Sequence, residues 1–151
     1  MDRTKQIWVA SIFEVFEKMF YIFLEQVEIG GHYDMTAQIS FRGPRNGRMR
    51  FFFPDNFART MAMNMLNMGP DEITPVIVED CLKESANMIC GNFLRKFDTS
   101  QVFDLGLPQM EKKTGEIQSA PDSDCSVAAA FESDGEGFSC ILTFQEEDAV
   151  K

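Results

Sequence analysis

Met35-Thr36-Ala37-Gln38-Ile39-Ser40-Phe41, then Gly43-Pro44-Arg45-Asn46-Gly47, then Met49-Arg50-Phe51-Phe52-Phe53 is the stretch on which the fold turns. Up to Gly30-Gly31 the apolar residues recur every three to four positions; here they recur every second one. Met35, Ala37, Ile39 and Phe41 alternate with polar neighbours, and Met49, Phe51 and Phe53 resume the alternation after the turn. A period of two places alternate side chains on one face of a strand. The Gly- and Pro-rich segment between the runs makes them a hairpin with one buried face.

Helical spacing flanks this hairpin on both sides. From Thr4 to Leu24, Trp8/Val9, Ile12/Phe13, Phe16, Met19/Phe20 and Phe23 form an aromatic-rich apolar face, with Ser11, Glu14, Glu17 and Lys18 between them. Pro54-Asp55 opens a second helix with Phe57/Ala58, Met61/Ala62 and Met65/Leu66 on one side, which Gly69-Pro70 closes. Thr74-Pro75 reads as the N-cap and first-turn proline of a third, long helix running to about Phe97. Strand patterning returns at Val102–Leu107. A polar segment, Glu111 to Asp124, is followed by Val127, Ala129 and Phe131, and then, through Asp134-Gly135-Glu136-Gly137, by Phe138, Cys140, Leu142 and Phe144. Glu146-Glu147-Asp148 reads as a solvated tail. Short turns between successive strands favour an antiparallel sheet covered by helices, an α+β fold in two loosely similar helix-then-strands halves.

The 151 residues suit one domain, residues 1–151. Lys and Arg number 14 against 24 Asp and Glu, a net charge of −10. Such a surface repels phosphate backbones and anionic lipid, so neither nucleic acid nor a membrane surface is expected as a partner. Glu14, Glu17 and Lys18 interrupt the first apolar stretch, which argues against a signal peptide or a membrane span and for a cytoplasmic protein. Cys81, Cys90, Cys125 and Cys140 contain no CxxC pair and His32 is the one histidine, so no metal site of the chain's own is expected. The cysteines read as small core residues and the ten methionines as core filling. His32, after Gly30-Gly31, reads as a loop or strand-end residue rather than a catalytic base.

The third helix holds the candidate site. At about 100° per residue, Val78, Leu82, Ala86, Ile89, Phe93 and Phe97 make one apolar stripe, while Asp80, Glu84, Asn87, Gly91 and Asp98 gather on the opposite side. Glu84 and Asn87, at i and i+3, are neighbours on that face. A mid-helix glycine costs about 1 kcal/mol relative to alanine. Close approach of another protein or a bulky group at Gly91 would account for it, and so would close packing inside the fold or plain tolerance of the cost.

The run Glu84-Ser85-Ala86-Asn87-Met88-Ile89-Cys90-Gly91-Asn92 resembles the ExxNxxxGN signature of the CheC/CheX/FliY chemotaxis phosphatases. Phe51-Phe52-Phe53-Pro54 before it and Phe103-Asp104-Leu105-Gly106-Leu107-Pro108 after it resemble CheX proteins in particular. The resemblance implies hydrolysis of the aspartyl phosphate of a CheY-type response regulator. It also implies catalytic roles for Glu84 and Asn87, and a partner-binding face of Asp80, Glu84, Asn87, Met88, Gly91 and Asn92. Asn87, which has little basicity, would orient the attacking water, and Glu84 would pair with the regulator's lysine. Mg²⁺ is expected in the regulator rather than in this chain. Two-site relatives carry a second ExxN on the first helix; here Glu14 is followed at i+3 by Glu17, and Glu17 by Phe20, so one site is expected. The resemblance further implies a homodimer joined through its sheets. The competing class is a non-catalytic module that binds CheY or serves as a flagellar-switch-like component, and intact Glu84 and Asn87 favour the enzyme.

Overall fold

The structure, a computed structural model, describes residues 2–118, 122–123 and 125–145. Three α-helices accompany a seven-stranded antiparallel sheet: α1 (Asp2–Phe20), β1 (Glu25–Val27), β2 (Gly31–Arg42), β3 (Gly47–Phe53), α2 (Asp55–Leu66), α3 (Pro75–Phe97), β4 (Asp104–Leu105), β5 (Gln109–Ile117), β6 (Ser126–Ser133) and β7 (Glu136–Phe144). The strands run β1-β6-β7-β3-β2, and β4 and β5 share the far edge of β2. The expected α+β class is the observed one.

The alternating pattern maps directly onto the two sheet faces. Met35, Ala37, Ile39 and Phe41 of β2 and Met49, Phe51 and Phe53 of β3 are all buried, in register from Met35↔Phe53 to Phe41↔Gly47. They join Phe131, Phe138, Cys140, Leu142 and Phe144 and the apolar stripes of the helices in one core. Phe138 sits at its centre, 4.9 Å from the Phe16 ring, 5.1 Å from Phe53 and 5.3 Å from Phe57. Burying rings of this size, with offset and edge contacts between them, supplies most of the drive to place helices on this face. The opposite sheet face carries Gln38, Ser40, Arg48, Arg50, Ile141 and Thr143, side chains outside that core.

The helices start and stop for local reasons. Thr74 caps α3 by accepting a hydrogen bond from the Ile77 amide at 3.3 Å, with Pro75 in the first turn. The N-terminus of α2 is capped from another element: the Asp34 carboxylate on β2 accepts from the Asp55 amide at 2.6 Å and is also bonded to His32. These bonds hold the Asp34 carboxyl below its usual range. His32 is thus an exposed strand residue supporting a cap.

Several boundaries differ from the sequence reading. Helix α1 ends at Phe20 because Tyr21 turns into the left-handed region at φ 55°, which leaves Phe23 outside the helix and exposed. Helix α2 ends at Leu66, before Gly69-Pro70: Asn67 adopts φ 53° and its amide bonds the Met63 carbonyl, the role glycine commonly plays. The hairpin between β6 and β7 turns on Asp134-Gly135 alone, both at positive φ, with Ser133 opposite Glu136. The first half of the polar segment from Glu111 belongs to strand β5, paired with β2 from Gly31↔Ile117 to Gln38↔Gln109. Of the Val102–Leu107 run, Asp104–Leu105 pairs as a strand against Phe41 and Arg42, and the Gly106 amide donates to the Ser40 carbonyl at 2.7 Å. The expected tail Glu146-Glu147-Asp148 lies outside the described residues.

Three of the four cysteines are core residues as expected, while Cys125 is half-buried. Burial pushes the Cys81 and Cys90 thiols up to about 12, so neither is a nucleophile near neutral pH.

Candidate functional site

Helix α3 is wedged between α1 and α2 and buried along more than one stripe. Val78, Leu82, Ala86, Ile89 and Phe93 face the core as the spacing predicts, and Cys81, Ser85, Cys90 and Leu94 are buried beside them. Phe97 is half-buried, stacked between Phe93 at 5.2 Å and Phe144 at 5.5 Å. What remains at the surface is a narrow strip. Asp80, Glu84 and Met88 are exposed; Asn87 and Gly91 are half-exposed, one turn apart.

The side chains of Glu84 and Asn87 make no hydrogen bond or ion pair with other described residues. The nearest cation in sequence, Lys83, is engaged by Glu79 at 2.9 Å. An unneutralised carboxylate and a free amide, adjacent on a rigid helix buried on both flanks, are pre-positioned to meet groups from outside. A groove of about 400 Å³ runs alongside, lined by Asn87, Met88, Gly91, Arg95, Val102 and Leu105. Its far wall is the segment leading into β4, where Val102 is 85 % exposed, with Leu107 at 88 % just beyond.

The surroundings of Gly91 bear on one of the explanations left open by the sequence, close packing inside the fold. A Cβ built there would meet only Arg95 Nη1 at 3.5 Å and Leu105 Cδ2 at 3.9 Å, ordinary contact distances. Internal packing therefore does not demand glycine at this position, and the open side of the helix faces the groove.

Asn92 lies elsewhere than the expected partner face. It is 8 % exposed, and its side-chain Nδ2 is buried without a hydrogen-bond partner. Along α3 it is aligned with Ser85 and Lys96 at offsets of seven and four residues, and Lys96 donates to Glu14 of α1 at 2.8 Å. Its place is thus among the groups joining the two long helices. Glu14, the acidic residue of the corresponding helix, is bound to Lys96 and to Lys18 at 3.5 Å. The Lys96 hydrogen bond holds the Glu14 carboxyl below its usual range, so this carboxylate has an internal occupation that Glu84 lacks.

The groove's second wall, Arg95 with Val102 and Leu105, was not legible in the sequence. Arg95 follows Gly91 by one turn, a spacing that could have flagged it; the Val102–Leu105 wall depends on long-range pairing of β4 with β2. Among the described residues no cluster of three or more His, Cys, Asp or Glu could hold a metal, and no helix is long and apolar enough to cross a membrane.

Residues 35–132 match the family model described as "Chemotaxis phosphatase CheX". Among solved structures, the chain is similar to the chemotaxis protein CheX from Vibrio vulnificus, with 22% identity over 94% of this chain and 96% of that one, at a TM-score of 0.77. It is also similar to a chain of the CheX–CheY–BeF3–Mg²⁺ complex from Borrelia burgdorferi, with 17% identity over 93% and 97% of the two chains and a TM-score of 0.69. Thermotoga maritima FliY aligns over 93% of this chain and 86% of its own at 12% identity, TM-score 0.59. No curated protein matches significantly. The family match spans more than half of the chain, including α2, α3 and five of the seven strands in whole or part, and the chain accordingly belongs to the CheX family of chemotaxis phosphatases.

Proposed function

We propose that this protein is a phosphatase acting on the aspartyl phosphate of a CheY-type response regulator, with the α3 strip as its active surface. The observation that carries this reading is the pairing of an unneutralised Glu84 with an uncommitted Asn87 on one face of α3, beside an open groove. The partner class is supported by the family and by the Borrelia CheX relative, which was solved bound to CheY with BeF3 and Mg²⁺.

Hydrolysis of an acyl phosphate demands a water in line with the scissile P–O bond and little covalent help from the enzyme. The Asn87 amide holds that water by hydrogen bonding. The Glu84 carboxylate, one turn toward the helix N-terminus, docks against a lysine of the regulator and fixes the height of Asn87 over the phosphoryl group. Asp80 and Met88 extend the contact strip, and Gly91 keeps it flat. Mg²⁺ neutralises phosphoryl charge from the regulator's own acidic pocket and requires no ligand from this chain. The protein works in the cytoplasm and as a homodimer.

The test is the decay of a phosphorylated receiver domain with and without the protein. Asn87→Ala retains receiver binding and slows dephosphorylation on the order of 10²-fold, because the water loses its alignment. Glu84→Ala weakens binding as well. Both positions lie away from the core stripe, so each variant keeps wild-type stability within about 0.5 kcal/mol. Full activity in Asn87→Ala, or a wild type that accelerates decay of no receiver, would favour the scaffold class.

A further inference from the structure

The chain is strongly acidic overall, yet four of its 14 basic residues, Arg42, Arg45, Arg48 and Arg50, fall within nine positions of the β2–β3 hairpin. Arg45 has an internal use, its guanidinium stacked 4.1 Å from the centroid of the Phe144 ring. Arg50 lies more loosely over the Phe52 ring, 5.7 Å from its centroid, and Arg42 and Arg48 have no such contact among the described residues. Arg48 and Arg50, two apart on β3, project from the sheet face opposite the core, as does Arg42 at the end of β2. None forms an ion pair among the described residues, and Asp104, across from Arg42 in register, does not close on it. Burial and the neighbouring Arg48 charge lower the Arg50 guanidinium from its ordinary value, a mark of like charges held together.

A groove of about 440 Å³ opens beside them, lined by Arg42, Arg48, Ser40, Asn46, Thr143 and Gln145, with no acidic residue in its wall among the described residues. Gly47 is required on the core side, where a Cβ would run into the Phe41 ring and the Thr143 carbonyl, so the strand between the groove and the core stays thin there. The turn is braced from within, the Gly43 amide donating to Asn46 Oδ1 at 3.1 Å. Concave sites of several hundred cubic ångströms suit nucleotide-sized ligands. Guanidinium forks bind phosphate oxygens bidentately, and neutral hydroxyl and amide groups around them can read the rest of such a molecule.

We propose that this groove binds a small phosphorylated ligand of nucleotide size, with Arg42 and Arg48 on its phosphates and Arg50 reinforcing their charge. The local cation cluster offsets the overall repulsion, and the groove is too small for a nucleic-acid duplex. The site lies on the sheet face away from the core and stands apart from the α3 reading, so either may fail alone.

Calorimetric titration of the full chain with ADP and with inorganic pyrophosphate tests it, alongside Arg42→Gln and Arg48→Gln. A second background, Glu146→Gln with Glu147→Gln and Asp148→Asn, removes the acidic run that follows Gln145 in sequence and could compete for the arginines. ADP is expected to bind, more weakly as salt rises, with about tenfold or greater loss in each arginine variant and unchanged melting temperature. Pyrophosphate binding as well as ADP supports the site and assigns recognition to the phosphates alone. No binding of either probe in either background overturns the proposal, as does binding indifferent to both arginine changes. A polyglutamate peptide bound as tightly as ADP also overturns it, since the arginines would then be reading acidic polypeptide.

Discussion

Gly91 gives up helix stability of about 0.5–1 kcal/mol relative to alanine, yet its surroundings have room for a Cβ. Gly91→Ala should therefore raise the unfolding free energy by up to that amount while weakening docking of a phosphorylated receiver, read by thermal melting and by titration. Greater stability with undiminished docking would show that no partner comes close at this turn. The i, i+3 relation of Glu84 and Asn87 was legible because both sit on the polar side of an apolar stripe with clear period. Asn92 was not: its neighbours in sequence place it near that side, but it is buried like Ser85, on a flank where Lys96 bonds Glu14 of α1. A helix drawn in isolation shows one buried stripe; a helix wedged between two others has a surface only where neither reaches.

At the scale of elements, α3 carries the candidate site and its start is fixed by one side chain. Thr74→Ala removes the acceptor for the Ile77 amide and should cost about 1 kcal/mol. Denaturant unfolding would show this as a lower midpoint with an unchanged slope, and receiver dephosphorylation should be preserved because Glu84 and Asn87 lie about three to three and a half turns further on. The Thr74 cap, the three helices and the β2–β3 and β6–β7 hairpins were readable because each had a periodic apolar face or a specific turn or cap residue, whereas the Asp34 and Asn67 caps of α2 were not. Strand β5 was not, since an edge strand bearing Glu111, Lys112, Lys113 and Glu116 has little apolar alternation to detect. Strand β1, three exposed residues held only by pairing with β6, left no pattern at all. The end of α1 was misplaced because a tyrosine in the left-handed region has no sequence signature.

For the whole molecule, both sheet edges bear on assembly. One is the three-residue β1; the other is the nine-residue β5, whose outer row of backbone donors and acceptors is a template for a second strand despite its charged side chains. A homodimer is expected at micromolar concentration, and sedimentation giving a stable 17.2 kDa species there would exclude it. The strand order has another effect, on timing. Strand β3 is flanked by β2, made just before it, and by β7, which ends at Phe144, some ninety residues after Phe53. At roughly 5–20 residues per second of synthesis, the ribosome needs about 5–20 s to supply that second neighbour. Throughout this interval the nascent hairpin carries Phe41, Phe51, Phe52 and Phe53 beside an open edge, so the vulnerable period of this protein's life is set by translation speed, and the cell must shelter that hairpin until the last strand arrives.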